Sequence, residues 1–123
     1  MIKLALKHCV PCEGGEPSVP RVNAESLLKQ VDDWELVDDP PSHKASEGQD
    51  SVLKIRKKFK FKNFKESLEF VNKVGAIAES EGHHPDINFG WGKAEITLYT
   101  HAVLGLSEND FILASKIDKI RDL

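Results

Sequence analysis

At 123 residues, with 40% hydrophobic and 30% charged side chains, the chain has the size and composition of one globular domain and little room for a second. No apolar run approaches the roughly 20 residues needed to span a bilayer. Seventeen basic and 20 acidic residues leave a formal charge of -3, so no global field argues for nucleic acid or anionic lipid.

The N-terminal stretch MIKLALKHCVPCEGG is interrupted by Lys7 and His8 before a signal-peptide core can form, and two cysteines make no disulfide framework. A cytoplasmic protein is expected. Residues 1–22 read as a loosely attached leader ending in Gly14-Gly15, Pro17 and Pro20, and residues 23–123 as a single domain. Within the leader, Cys9-Val10-Pro11-Cys12 has the spacing of half a zinc knuckle or of a redox pair. A second CxxC is missing, and the preceding residues are too few for a thioredoxin-like fold, so the motif is taken as incidental.

Asn23 is a capping residue type, and Ala24, Leu27, Leu28 and Val31 follow at the spacing of a short amphipathic helix. Trp34, Leu36 and Val37 suggest a brief strand. Asp38 to Ser51, rich in Pro and Ser, reads as an exposed loop. Leu53, Ile55, Phe59 and Phe61 then alternate with Lys54, Arg56, Lys58, Lys60 and Lys62, the pattern of a half-buried strand with a basic outer face. Lys57 is a misfit on the apolar side.

Asn63 and Glu66 resemble a capping box, followed by Phe64, Leu68, Val71, Val74, Gly75 and Ala78 at helical spacing and by Gly82 as a stop. Ile87–Trp91 and Ala94–Thr100 read as antiparallel strands joined at Gly92-Lys93. Ser107 with Asp110 begins a last helix whose core stripe is Leu113, Ile117 and Ile120. This order, a helix, two strands, a helix, two strands and a helix, predicts an α+β fold: a four-stranded antiparallel sheet with helices on one face.

Three of the five histidines fall within EGHHPDINFGWGKAEITLYTH. His83 and His84 follow the Gly82 stop, and Pro85 biases His84 toward extended backbone, so the two rings point to opposite sides. Antiparallel pairing brings His101 back toward that pair. Imidazole titrates near pH 6.5, so one ring of such a cluster can hold a proton while another accepts one. Glu79, one helical turn earlier, can orient a ring or fix a polar substrate group. The plainer alternative is that His83 and His84 cap a helix and His101 ends a strand. A metal site is disfavoured, because adjacent ligands on opposite faces seldom share one ion. Nucleic acid is disfavoured as well, because Phe59 and Phe61 alternate against the lysines and form no stacking platform among them.

Taken together, Glu79-x-x-x-His83-His84-Pro85, Trp91, His101, Gly105-Leu106-Ser107 and Asp110 resemble the signature of the pterin-4a-carbinolamine dehydratases, with similarity running from about Trp34 to the C-terminus. The resemblance implies the same four-stranded α+β fold. It also implies dehydration of a 4a-hydroxytetrahydropterin to a quinonoid dihydropterin, with no metal or organic cofactor. His83 and His101 would be the proton-transfer pair, with His84 binding the pterin and aiding catalysis and Glu79 supporting the site. Pro85, Thr100, Ala102 and Val103 would hold the pterin through their backbone, and Trp34 would lie near the pocket. A homodimer or homotetramer is implied. Some relatives act instead as binding, assembly or dimerisation modules, which leaves a protein partner of unknown identity as the alternative.

Overall fold

The computed structural model describes residues 19–31, 33–39, 52–100 and 105–121. Seven elements follow in chain order: α1 (Arg21–Leu28), β1 (Glu35–Asp39), β2 (Val52–Lys60), α2 (Phe64–Glu81), β3 (Asp86–Gly90), β4 (Lys93–Leu98) and α3 (Glu108–Arg121). The strands form one antiparallel sheet in the order β1-β2-β4-β3. The α+β architecture is the one that the alternation of paired strands and single helices predicts.

Period-two patterning sorts the sheet faces. Ile55, Phe59, Ala94, Ile96 and Leu98 are buried beneath the helices, where they meet Phe70, Val74, Ala78, Phe111, Leu113 and Ile117. Phe59 and Phe61 both stack on Phe70, with centroids 4.6 and 5.1 Å apart, which places these aromatics on the core side as their alternation requires. The opposite face carries Arg56, Lys58, Thr97 and Glu95; there Arg56 Nε donates to Thr97 Oγ1 at 3.0 Å. Lys54 departs from the expected solvated row. It is buried, with Nζ 4.4 Å from the centre of the Tyr99 ring.

The start of α1, the β3–β4 turn and the buried face of α2 differ from expectation for local reasons, and Asp38 and Asp39, expected to open a loop, belong instead to β1, paired with Leu53 and Val52. Helix α1 starts at Arg21, with Pro20 as its N-cap at φ -62° and Pro20 O accepting from Ala24 N at 2.9 Å, so Asn23 lies inside the helix. The hairpin turn is Trp91-Gly92, one residue earlier than expected, because Gly92 supplies φ 72°. In α2 the buried line is Ser67, Phe70, Val74 and Ala78, rotated from the expected stripe, and Phe64 and Leu68 are exposed. The rotation follows Phe70, whose ring fills the space over Phe59 and Phe61.

Lys57 lies on the core side and pairs with Asp118 of α3, Nζ to Oδ1 2.9 Å. The same oxygen accepts from Trp34 Nε1 at 3.0 Å. The apparent misfit is therefore an interior ion pair joining β2, α3 and the residue that precedes β1. Among the described residues, no buried side-chain nitrogen or oxygen lacks a hydrogen-bond partner. No helix among them is long and apolar enough to cross a membrane.

Tyr99 carries a pH signature of this packing. Burial first, and the Asp86 carboxylate second, raise its phenol above the ordinary value of 10.0. The folded chain thus holds that proton more tightly than the unfolded chain, so its contribution to stability declines as pH rises past 10.0 toward the raised folded value. Urea midpoints taken on both sides of that value should fall less in Tyr99→Phe than in the parent chain. Equal losses in both would refute the assignment.

Candidate active site

Helix α2 delivers the histidine pair through its C-terminal cap. Gly82 adopts φ 66°, and the N–H groups of Gly82 and His83 bond back to Glu79 O (3.3 Å) and Ala78 O (3.2 Å). This is the Schellman arrangement, which reverses the chain at the helix end and points His83 toward α3. The capping role foreseen as the plainer reading belongs to the His83 backbone. The ring is engaged elsewhere.

His83 Nε2 lies 2.6 Å from Asp110 Oδ1, and Asp110 is fully buried at the start of α3. The other carboxylate oxygen, Oδ2, accepts from Ser107 N and from Thr100 Oγ1, each at 2.9 Å. Thr100 Oγ1 also lies 2.8 Å from Ser107 Oγ. One carboxylate thus ties together the end of α2, the residues beyond β4 and the first turn of α3. In the neutral ring an N–H on Nε2 donated to this carboxylate leaves Nδ1 with the free lone pair, the tautomer that accepts a proton there.

His84 faces the other way. Its Nε2 lies 3.0 Å from Glu79 Oε2, and both side chains are well exposed. An exposed pair of this kind contributes little to stability. Glu79 thus lies beside His84 and not His83, whereas the sequence left open which ring it would meet. Half-buried Pro85 follows and has no N–H, so its backbone can offer a ligand only a carbonyl.

Thr100 is buried, and its backbone pairs with Gly105: Thr100 N to Gly105 O is 2.7 Å and Gly105 N to Thr100 O is 3.4 Å. Its N–H is thus already used, and its carbonyl, which also accepts from Gly105 N, keeps its second lone pair for a ligand. His101, Ala102 and Val103 lie outside the described residues, as do Cys9 and Cys12. The register brings Thr100, the residue before His101, to the same carboxylate as His83. Trp34 is buried against Asp118. Asp118 lies two turns along α3 from Asp110, about 12 Å at 1.5 Å per residue.

Asp110 is the site residue whose task the sequence did not disclose. As the third residue after Ser107 it reads as half of a helix start, and its carboxylate does accept from Ser107 N. Its second oxygen, on His83, is visible only in three dimensions.

Comparison with known proteins places this arrangement. The family model for pterin 4 alpha carbinolamine dehydratase matches residues 18–120. A protein of Rubrobacter xylanophilus, provisionally named a pterin-4-alpha-carbinolamine dehydratase, is 47% identical over 120 residues, covering 98% of this chain and 100% of its own. A similarly named protein of Methylococcus capsulatus is 44% identical and covers 95% and 92%. Among solved structures, a transcriptional coactivator/pterin dehydratase from Brucella melitensis superposes with a TM-score of 0.68 at 26% identity, covering 84% of this chain and 97% of its own. A pterin dehydratase-like RuBisCO assembly factor of the alpha-carboxysome gives 0.53, also at 26% identity, covering 71% and 87%. With a near full-length family match and relatives at more than 40% identity, the chain belongs to the pterin-4-alpha-carbinolamine dehydratase family.

Proposed function

We propose that the chain is a working hydro-lyase that converts a 4a-hydroxytetrahydropterin to a quinonoid dihydropterin and water in pterin recycling. The observation that carries this reading is the His83–Asp110 pair, a ring held on its Nε2 side by a buried carboxylate. A scaffold has no chemical need to fix an imidazole tautomer, whereas proton transfer does.

The reaction is redox-neutral. The bond from C4a to the hydroxyl oxygen breaks, a proton joins that oxygen, and a ring nitrogen gives up a proton as the double bond forms. Acid and base must therefore flank one ring, a task for His83 and His101. His84, oriented by Glu79, binds the pterin and aids proton transfer. The carbonyls of Pro85 and Thr100, with the backbone of Ala102 and Val103, hold its polar edge, and Trp34 supports the pocket wall from its place on Asp118. No metal or organic cofactor is required for these steps.

Stopped-flow absorbance of 4a-hydroxytetrahydropterin decay tests the reading. Wild type should exceed the uncatalysed rate, and His83→Ala and His101→Ala should each lose about 10²-fold or more of that acceleration. Unaltered turnover in both variants would refute the acid/base pair.

The likeness to a RuBisCO assembly factor and to a coactivator supports a second reading, a binding or assembly module of the same fold. A folded wild type that gives no acceleration, yet forms a stoichiometric complex indifferent to the histidine substitutions, would favour it. Either reading fits a cytoplasmic homodimer or homotetramer, which sedimentation would establish.

A further inference from the structure

The Asp110 carboxylate that meets His83 is itself held from behind, by groups outside the histidine set. Thr100 Oγ1 and Ser107 N both donate to Asp110 Oδ2 at 2.9 Å, while Oδ1 faces His83 Nε2. Ser107 Oγ stands 2.8 Å from Thr100 Oγ1. A hydroxyl has one hydrogen, and that of Thr100 goes to Asp110, so in the second contact Ser107 donates and Thr100 accepts. The chain of donors runs in one direction, from Ser107 to Thr100 and from Thr100 to Asp110.

Both hydroxyls sit on backbone that the core pins. Thr100 is buried and bridged to Gly105 through its N–H and its carbonyl. Leu106, between Gly105 and Ser107, is fully buried, and its carbonyl accepts from Val19 N at 2.7 Å. Ser107 has the position of a capping serine for α3, yet its hydroxyl meets Thr100. Valine has nearly the shape of threonine, so what Thr100 adds to packing at its position is the hydroxyl.

The structure assigns Thr100 and Ser107 a side-chain role as positioning residues: their hydroxyls, acting through Asp110, hold His83 in the tautomer that keeps its lone pair on Nδ1. This deepens the hydro-lyase reading of the same site and rests on it. With two donors on Oδ2 the carboxylate cannot turn without breaking one of them, so Oδ1 stays aimed at the ring. Take away the Thr100 donor, and Ser107 N–H is what remains on Oδ2 among the described residues. The carboxylate can then rotate about its last bond, and the ring can exchange its N–H between Nε2 and Nδ1. The Ser107 hydroxyl acts one step further back. It occupies a lone pair of Thr100 Oγ1 and so keeps the Thr100 hydrogen turned toward Asp110. Neither hydroxyl is the Thr100 carbonyl proposed to hold the pterin, so the two roles separate.

The test compares Thr100→Val, Thr100→Ser and Ser107→Ala with the parent chain. Stopped-flow carbinolamine decay gives the rates, nitrogen NMR of the His83 ring gives the tautomer, and circular dichroism checks folding. Thr100→Val should lower kcat about ten-fold at unchanged KM, the scale of one lost hydrogen bond to a carboxylate, and its spectrum should show two His83 tautomers in exchange. Thr100→Ser should regain most of the rate and the single tautomer. Ser107→Ala should fall between the parent chain and Thr100→Val. A merely structural role would lower the melting temperature and leave kcat and the tautomer of the folded chain at parent values. That result would overturn the proposal, as would a Thr100→Ser chain as slow and as mixed in tautomer as Thr100→Val. If Thr100→Val does not fold, Ser107→Ala decides alone, and parent values of both readouts there would overturn it. A folded parent chain without acceleration would refute the hydro-lyase reading by itself, and the tautomer spectra would still decide whether the hydroxyls hold the ring.

Discussion

Asp110→Asn is expected to leave the chain folded and to lower dehydratase turnover by about 10²–10⁴-fold, the range in which a general acid/base group contributes. The reason is directional. Asp110 Oδ2 accepts from Ser107 N and Thr100 Oγ1, and both partners still require an acceptor after substitution. The amide oxygen will therefore take the Oδ2 position and turn its NH₂ toward His83 Nε2. That ring nitrogen must then accept, which moves the neutral ring's proton to Nδ1 and removes the lone pair offered there. Size and burial hardly change, so the thermal transition should shift little. Nitrogen NMR shifts of the His83 ring would show the inverted tautomer, and stopped-flow decay of the carbinolamine would give the rate. An inverted tautomer with undiminished turnover would remove His83 from the proton-transfer step. Asp110→Ala is a poorer test, because it leaves the donors of Ser107 and Thr100 without this acceptor and so confounds activity with stability.

Asp118→Ala is expected to act chiefly on stability, lowering it by about 3–5 kcal/mol while the His83–Asp110 pair stays in place in the fraction that remains folded. Asp118 Oδ1 receives both the Lys57 ammonium at 2.9 Å and the Trp34 indole N–H at 3.0 Å, and Lys57 is only 14% exposed in its side chain. Removing the carboxylate leaves a largely desolvated charge without its counter-ion, which costs far more than the intact pair contributes. The double replacement Lys57→Met/Asp118→Leu removes both charges together and should recover most of the loss. Urea midpoints of the three chains would decide the matter. A recovered double variant alongside a weakened single one identifies the unpaired ammonium as the cause, whereas equal losses would point to packing around Trp34 instead.

Much of this molecule was legible in one dimension because the relevant signals are local and periodic. Alternation at Leu53–Phe61 and Ala94–Tyr99 settled which side chains enter the core, since a strand has only two faces and water rejects the apolar one. Asn63 and Gly82 marked both ends of α2, because a capping oxygen and a left-handed backbone are properties of single residues; Asn63 Oδ1 accepts from Glu66 N at 2.9 Å, and Gly82 has φ 66°. The histidine pair with Glu79 and Pro85, taken together with Trp91, His101, Gly105-Leu106-Ser107 and Asp110, suggested the family.

Tertiary structure decided what depends on meetings between distant segments. The register of α2 rotated onto Phe70 because aromatic packing over Phe59 and Phe61 outweighs a helical stripe that accommodates several neighbouring lines. Lys57 looked like an error in its strand until Asp118, on the last helix, supplied its counter-ion. Asp110 looked like a helix start, and its first-turn position explains only the bond from Ser107. A carboxylate has two oxygens, and the second reaches His83 because the Gly82 turn and the β3–β4 pairing carry the end of α2 and Thr100 to the same point on α3. Sequence thus named residue types able to move protons, and the fold decided which carboxylate holds which ring, since that choice rests on hydrogen-bond distances across elements that no spacing along the chain contains.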